Sequence, residues 1–502
     1  MVSSMQYGNL TVSQRSTFDL KQTNSIRKPS FAVWIEGFGD TTRHVIDIDS
    51  EVALESPLGR GNLHIGQAIL VVSNENGYFY DNGKSNIKSN AHVKIWTGFD
   101  NLNIPIFTGV VHSVKPIGTT NMVTLNCHDY MGLTASVIVK DSQDPNNTAK
   151  LMIENFCDQI GVQANVPSTS ETTEIYSDPK FDEQSMLSAL EEICESIFYV
   201  AYFDEAGTLQ VAEREYSNPV EWKFDDDSII DCGRLIDTEI INDVFIEYRE
   251  NFYVGWCDQP SINEYGTRNR SLRLLLLNST LVSEMVHGST SETLDHDLEA
   301  FKFISAGDAS SIDCLQIKMK QSDAHGNMVV KVHSDNGGVP GALLGTSQSK
   351  ASANLYTDFA WETFYFTDPV TISPSTIYWV VIDTTPVSSG TVYVQISAAT
   401  ASATHACYSE GAWHTENDKQ VLHTISRSLN ARRLAEDLIR FYKQPHERIH
   451  VIAPAVPQLQ LLDEVRVDIE HMQIFGHFVC EGRRHVLTPE GYMTVDILRK
   501  KN

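Results

Sequence analysis

His446, Glu447 and His450 form the string HExxH, the spacing that binds zinc in many metalloproteases. That chemistry needs both histidines one turn apart on one face of a helix, with the glutamate beside them to polarise a water molecule. Proline lies directly before the string and again shortly after it, which leaves room for barely two helical turns. The apolar alternation through Ile449 and Val451 predicts a strand, in which residues four apart lie roughly 13 Å from one another. We therefore expect a chance match and no zinc site.

The segment Gly77–Ser85, GYFYDNGKS, resembles a phosphate-binding loop but has five residues between its glycines rather than four. It lies between two strand-like runs and not between a strand and a helix. We expect a hairpin turn at residues 81–83.

Two acidic runs could attract a cation: residues 225–227, and Asp47 with Asp49 and Glu51. Neither has the glycine and the distal glutamate of a calcium loop, so we expect solvated loops or strand edges.

The sequence contains no nucleophile elbow and no other catalytic serine or cysteine motif. Paired carboxylates for glycoside cleavage stay open, because such partners need not be close in sequence. We predict a protein that is not an enzyme, with no catalytic, cofactor-binding or metal-binding residue and no cofactor.

Between residues 280 and 428 the sequence predicts a separate set of short strands, among them IDCLQIKMK and MVVKVHS, and aromatic residues are frequent. They could form a platform on which a glycan stacks, although aromatics in alternating strands more often belong to a core. The candidates are Trp361, Tyr365, Tyr378, Trp379, Tyr393 and Trp413.

The elements that would position these residues are mostly strands. From Phe31 onward, short alternating runs recur about every ten residues with Gly, Asn and Asp between them, which is typical of an antiparallel barrel or sandwich. Near residue 148 the period changes to that of two helices, followed by a hairpin across Gly207. An amphipathic helix carries Leu434, Leu438 and Phe441, and alternating strands follow it. We predict a mainly β fold with an α+β module, two antiparallel β-barrels and an inserted jelly-roll-like β-sandwich.

The predicted division separates the second barrel into two stretches of sequence, which must fold together around the insert. Its parts are a flexible arm at 1–30, a first barrel at 31–138, an α+β module at 139–215, a second barrel with its helix at 216–279 and 429–502, and the sandwich at 280–428.

Charge and hydropathy exclude several classes of function. A formal net charge of −27 makes adhesion to nucleic acid or anionic membranes unfavourable. No apolar run approaches the roughly 20 residues of a spanning helix, and the N-terminus lacks the apolar core of a secretory signal. The eight cysteines are scattered without short even spacing, so we expect reduced thiols, mostly in the core. We expect a soluble protein made in a cytoplasm.

The order of several segments resembles the baseplate hub proteins of tailed bacteriophages and related contractile injection machines. The resemblance covers roughly residues 31–277 and 425–500, and rests on runs such as VKIWTGFDNLNIPIFTGVVHSV, LEEICESIFYVAYFDEAGTLQVAER and GHFVCEGRRHVLTPEGYMTVDIL. The insert is similar to an accessory β-sandwich of phage tail and bacterial surface proteins. The chain has no recognisable lysozyme or peptidase domain.

The resemblance implies tail-tube-like barrels and a homotrimer, whose six barrels match a sixfold tail tube to a threefold spike. The implied partners are the tail tube protein above, the spike below and other baseplate proteins, with no sequence-specific nucleic acid binding and no membrane insertion. The implied location is the virion baseplate, assembled in the host cytoplasm, around a channel for DNA ejection. Three chains would carry a charge of −81, three times −27, and an acidic channel would repel DNA. The alternative is a tail protein that binds a host-surface glycan through the insert.

Overall fold

The structure is a computed structural model. It describes Arg15, Phe181 and residues 28–54, 63–100, 102–118, 120–139, 148–173, 184–236, 240–249, 252–274, 280–285, 290–294, 298–306, 311–398, 405–409, 412–416, 419–427 and 429–501. The chain forms two compact units. The first unit contains residues 1–244, 256–276 and 436–502, and the second contains residues 245–255 and 277–435. None of the described helices is long and apolar enough to cross a membrane.

The N-terminal part of the first unit is built from strands, several of which bury every second side chain. Its strands are β1 Pro29–Ile35, β2 Gly39–Asp40, β3 Val45–Ala53, β4 Gln67–Ser73, β5 Tyr80–Asp81, β6 Lys84–Ser85, β7 His92–Phe99, β8 Leu102–Pro116 and β9 Met122–Asp129. Strands β3-β4-β9-β8-β7-β1-β2 are neighbours in that order. We call these seven strands the first barrel segment. Its core is a cluster that includes Ile35, Leu70, Ile95 and Leu125.

A helical module follows and packs against the first barrel segment. Its elements are α1 Tyr130–Thr134, α2 Ala149–Ile160, β10 Ala164–Asn165, α3 Ser170–Thr173, α4 Met186–Ile197, β11 Tyr199–Phe203 and β12 Leu209–Glu213. Thr148 caps α2 by accepting a hydrogen bond from the Leu151 amide, and Gly161 ends the helix in the left-handed conformation. Ser185 caps α4 in the same way. The buried faces of both helices and the β11–β12 hairpin share one core.

The rest of the first unit comes from two distant stretches of sequence. Its elements along the chain are β13 Asn218–Asp225, β14 Asp231–Ile236, α5 Gln259–Tyr265, β17 Asn269–Arg273, β31 Glu447–Pro454, β32 Asp463–Ile469, β33 Ile474–Thr488 and β34 Gly491–Lys500. Strands β15 Asp243–Arg249 and β16 Phe252–Cys257 belong mostly to the second unit, and helix α6 Leu429–Tyr442 has residues in each unit. Strands β14-β31-β34-β33-β32-β13 are neighbours in that order. We call these six strands the second barrel segment.

Strand β33 joins the two segments into one sheet of 13 strands. Its first half pairs with β32, its second half pairs with β3, and β34 runs along its other side. A register shift between Cys480 and Gly482 separates the two halves.

The inward side of β33 carries a buried ion pair. The Arg483 Nε donates to Asp496 Oδ1 at 2.8 Å, and its Nη2 donates to the Val456 carbonyl at 2.7 Å. The Arg483 and Asp496 side chains are 1% and 0% exposed. Burial raises the pKa of the Asp496 carboxyl, and the guanidinium opposes that rise. The next residue, Arg484, points outward and forms an exposed bidentate pair with Asp49.

The second unit is built from strands around its own apolar core. Its strands are β18 Thr280–Met285, β19 Thr290–Thr293, β20 Leu298–Ile304, β21 Ser311–Asp335, β22 Pro340–Thr346, β23 Lys350–Ala351, β24 Ala360–Thr371, β25 Ile377–Asp383, β26 Val387–Ala398, β27 His405–Ser409, β28 Ala412–Glu416, β29 Lys419–Val421 and β30 His423–Arg427. The first half of β21 pairs with β24, β26 and β30, and its second half pairs with β22, β23 and β25.

The mainly β fold predicted from sequence is confirmed, with three differences in detail. The strands expected for two barrels form one continuous sheet. Strand β13 pairs with β32 in parallel, whereas the sequence predicted antiparallel barrels. Alternation identifies the buried face of a strand but not the direction of its neighbour, so this pairing could not be inferred. The runs IDCLQIKMK and MVVKVHS, predicted as two strands, are one strand, because β21 bends at Asp323 and Gly326, both with positive φ, and continues.

Two other expectations from the sequence remain predictions. The arm predicted at residues 1–30 lies outside the described residues except for Arg15 and residues 28–30, and β1 already begins at Pro29. The finer division into barrel, α+β and sandwich domains stays a prediction.

We expect the first unit to be strongly destabilised when only one member of the Arg483–Asp496 pair is removed. Asp496→Ala leaves a buried guanidinium without its carboxylate, and should lower the free energy of unfolding by about 3–5 kcal/mol. The double variant Arg483→Met/Asp496→Leu should recover most of that loss. Urea unfolding followed by circular dichroism measures both. The matched control is Arg484→Ala, which removes an exposed pair and should cost about 1 kcal/mol or less. Equal losses from Asp496→Ala and Arg484→Ala would contradict the assignment.

Candidate functional site

The HExxH residues lie at the start of a strand and do not converge on one point. His446 is buried, and its Nε2 is 2.6 Å from the Phe441 carbonyl oxygen. Glu447 pairs with Lys500 at 2.6 Å and with Arg234 at 3.5 Å. His450 packs over Gly233, where an added Cβ would lie 2.4 Å from the histidine Cε1. The structure therefore places the three residues in strand β31 and its entry, as the sequence predicted.

The Gly77–Ser85 segment forms a hairpin. Strand β5 pairs with β6, and the turn residues Asn82 and Gly83 have φ values of 49° and 77°. Two consecutive positive φ values are typical of a type I′ turn, which the Asn-Gly pair favours. The predicted turn is present, and the segment has no helix whose amino end could hold a phosphate.

Several of these acidic side chains form ion pairs with basic residues or accept hydrogen bonds from backbone amides. Asp225 lies 3.3 Å from the Lys223 Nζ, and Asp226 accepts hydrogen bonds from the Glu470 amide and from His471. Asp49 pairs with Arg484. Among the described residues, no group of three or more His, Cys, Asp or Glu could hold a metal ion.

Several polar contacts hold the tip of the β11–β12 hairpin. We call residues 204–208 the hairpin tip. The Thr108 hydroxyl of β8 donates to the Glu205 carbonyl at 2.8 Å, and the Gln460 side chain donates to the Glu205 carboxylate at 3.1 Å. Gly207, at φ 85°, could not carry a Cβ, which would lie 2.8 Å from both Thr108 and Tyr130. The hairpin tip thus contacts both the first barrel segment and the loop that precedes β32.

Two carboxylic acids with raised pKa values line the small hollow at this site. The protein around Glu205 raises its pKa to about 8, mainly by desolvation and then by the charge of Asp204. Burial raises the pKa of Asp129 to about 7, against hydrogen bonds from backbone amides that include Gly66 and Met131. Asp129 is also the N-cap of α1. At neutral pH Glu205 is mostly protonated, whereas Asp129, whose pKa is near 7, is only partly so. Both side chains connect neighbouring elements of the fold.

The six aromatic residues predicted for glycan stacking fall into different environments. Trp379 is fully buried, and its indole N–H donates a hydrogen bond of 2.8 Å to the Asp335 side chain. Tyr378 is also buried in the core. The Tyr365 hydroxyl accepts from the Gly255 amide at 3.0 Å. Trp413 packs edge-on against Tyr408. These four do not form one platform.

The remaining two, Trp361 and Tyr393, lie on the outward face of the β24-β21-β26 sheet beside two lysines. Lys318 is the register partner of Trp361, and Lys320 is the register partner of Tyr393. Sequence analysis missed these lysines, and also Phe359 next to Lys320. The signal was present in the string Lys318-Met319-Lys320, because a strand places residues two apart on the same face.

Comparisons with known proteins find similarity in structure only. No protein-family model matches the chain, and no curated protein matches it. The crystal structure of the tail protein from Neisseria meningitidis MC58 is similar with a TM-score of 0.50 and 11% sequence identity, over 94% of this chain and 96% of that one.

Two further solved structures are less similar. The 43 kDa tail protein of prophage MuSo2 from Shewanella oneidensis has a TM-score of 0.49 and 9% identity, over 94% of this chain and 99% of that one. The prophage tail protein gp18 from Listeria monocytogenes EGD-e has a TM-score of 0.42 and 8% identity, over 94% of each chain. The match to the Neisseria protein establishes a common fold, and it confirms the predicted resemblance to tail proteins at the level of the fold.

We expect no zinc at His446 and His450. Purified protein, exposed to zinc and then desalted, should contain far less than about one zinc per chain by elemental analysis. Glu447→Ala removes partly exposed ion pairs and should change the free energy of unfolding by about 1 kcal/mol or less. Stoichiometric zinc that His446→Ala abolishes would contradict this reading of the strand.

We expect the hairpin tip to make stability depend on pH. A carboxyl whose pKa is raised in the folded state contributes most below its unfolded pKa, and that contribution is lost as pH rises through the folded value. For Glu205 this window runs from about 4.5 to about 8. Glu205→Gln keeps an oxygen that can accept from Gln460 but cannot ionise. It should therefore be more stable than the wild type at pH 8.5, by up to about 1.4 kcal/mol for each unit of raised pKa, and indistinguishable near pH 4.5.

Thermal unfolding of both proteins across this pH range measures the effect. Glu75→Gln, at an exposed position, is the matched control and should show no such gain. A constant difference between Glu205→Gln and wild type at all pH values would show that the carboxyl does not titrate with folding.

Proposed function

We propose that the chain is a structural protein of a phage-type tail, and that it acts as a baseplate hub linking the tail tube to the central spike. The observation that carries this proposal is the fold shared with the Neisseria tail protein along nearly the whole of both chains. In this role the protein performs no chemistry; its function lies in the packing of strands between chains. Its location would be the virion, and its neighbours the tail tube protein, the spike and other baseplate proteins.

Unpaired strand edges support a role in assembly. Among the described strands, β13 and β14 each pair on one side only, with β32 and β31 respectively. An unpaired edge exposes a row of backbone donors and acceptors that another chain can pair with. Two large apolar residues, Ile230 and Leu235, are 61% and 38% exposed at or beside β14. This edge is a suitable surface for a ring contact in a homotrimer.

The net charge supports a channel for DNA. A trimer would carry −81, three times the charge of one chain, and an acidic lining would repel the phosphate backbone. DNA could then pass during ejection without binding to the wall.

A second candidate function is recognition of a host-surface glycan by the second unit. It is favoured by the outward, half-buried position of Trp361 and Tyr393 on one sheet. The hub role and this binding role could belong to the same chain.

Light scattering after size-exclusion chromatography tests the hub proposal. We expect a mass three times that of one chain, and a threefold ring in negative-stain images. Leu235→Asp, on the unpaired edge, should shift the mass toward the monomer. The matched control is Ile69→Asp, which is also 38% exposed but lies on β4, a strand paired on both sides.

A wild-type chain that stays monomeric at every concentration reached would contradict the trimer. A trimer that survives Leu235→Asp, or that Ile69→Asp disrupts equally, would contradict the role of the β14 edge.

A further inference from the structure

Two lysines of strand β21 stand side by side on the outward face of the second unit. Lys318 and Lys320 flank Met319, which is fully buried in the core, so both lysines lie on the opposite face of the strand. The aromatic residues beside them come from β24, from β26 and from Phe359, which directly precedes β24. The result is a cluster of two ammonium groups and three aromatic rings, which we call the lysine–aromatic face: Lys318, Lys320, Phe359, Trp361 and Tyr393.

The rings hold the ammonium groups in place. The Lys320 Nζ lies 4.9 Å from the centroid of Phe359 and 5.3 Å from that of Tyr393, and the Lys318 Nζ lies 6.0 Å from the centroid of Trp361. At these distances the electron-rich ring faces attract a cation and restrict the flexible side chain. Among the described residues, no carboxylate is within ion-pair distance of either lysine, whereas Lys331 and Lys350 of the same unit are paired with acids.

A hollow adjoins Lys320 and supplies hydrogen-bonding groups. Its volume is about 320 Å³, which is at the lower end of the size of small-ligand sites. It is lined by Lys320, Gln321, Ser322, Asp323, Thr357 and Tyr393. Exposed hydroxyls of Ser322 and Thr357 and the carboxylate of Asp323 can exchange hydrogen bonds with the hydroxyl groups of a sugar ring.

The arrangement selects against a neutral ligand that binds by stacking alone. A lysine ammonium group lies over each of the three rings, so a sugar that stacked on the same ring face would have to displace it. An anionic group, in contrast, can form ion pairs with Lys318 and Lys320, because no described carboxylate lies within ion-pair distance of either lysine. Nucleic acid is a poorer fit, since its row of phosphates extends well beyond two lysines and is repelled by the rest of a chain with a net charge of −27.

We propose that the lysine–aromatic face and its hollow bind an anionic saccharide, with a carboxylate or phosphate on Lys318 and Lys320 and the sugar hydroxyls in the hollow. This proposal rests on the second candidate function, and names the site and the class of ligand. It does not depend on the hub role, which the mass measurement tests separately.

Isothermal titration calorimetry of the 502-residue chain with two pairs of saccharide probes tests this proposal. The first pair is trigalacturonate and neutral galactotriose; the second is mannotriose 6-phosphate and neutral mannotriose. We expect at least one charged probe to bind about tenfold more tightly than its neutral partner, and its affinity to fall as salt is raised. Lys318→Met and Lys320→Met should each weaken that binding by about tenfold or more.

The matched control is Lys302→Met, a half-buried lysine of β20 outside this face, which should leave binding unchanged. Unfolding midpoints of all three variants establish that they fold like the wild type. Failure of every charged probe to bind, equal binding of charged and neutral partners, or equal loss in Lys302→Met would each overturn the proposal. Tighter binding of a single-stranded DNA oligonucleotide than of either charged saccharide would also overturn it.

Discussion

Strand β33 is the constraint on which the first unit depends, because one strand must serve two barrel segments. Its register is fixed by two consecutive arginines with opposite environments: Arg483 is buried against Asp496, and Arg484 is exposed against Asp49. A slip of one residue would bring Arg484 into the interior and would separate Arg483 from its carboxylate. The burial of one ion pair is costly, but it makes the alternative registers much less stable than the observed one.

A second polar contact on the same inward side connects the segments. The Tyr492 hydroxyl of β34 is 2.6 Å from the Thr97 hydroxyl of β7 and 2.9 Å from the Nδ1 of His485. All three side chains are buried. Burial, and then the charge of Arg483, lowers the pKa of His485 well below its usual value, so this ring stays neutral beside the guanidinium. The first unit is thus a single packed body, although its strands come from stretches of sequence more than 400 residues apart.

That separation explains what sequence could and could not predict. The helical spacing of apolar residues such as Leu434 and Leu438 was sufficient to predict helix α6, and the composition of the turn was sufficient to predict the hairpin at Gly207. The pairing of β3 with β33 could not be predicted in this way, because the alternation of apolar residues along a strand is a local property and carries no information about a distant partner. The burial of Arg483 was also missed, since a charged residue is expected at the surface unless its partner is known. At the lysine–aromatic face the local pattern was sufficient, but the aromatic residues were considered without the lysines between them.

The second unit, like the first, contains a long strand whose two halves pair with different neighbours. In β33 the transition is a register shift beside Gly482; in β21 it is a bend at Asp323 and Gly326, where Gly390 packs too closely against Asp323 to carry a Cβ. The bend sets the position of the lysine–aromatic face, because Lys320 and the hollow lie just before it. A cationic site can function in so acidic a chain because charges are screened over about 8 Å at physiological ionic strength. An anion in contact with Lys318 and Lys320 interacts chiefly with those two charges, while more distant carboxylates contribute little to its binding.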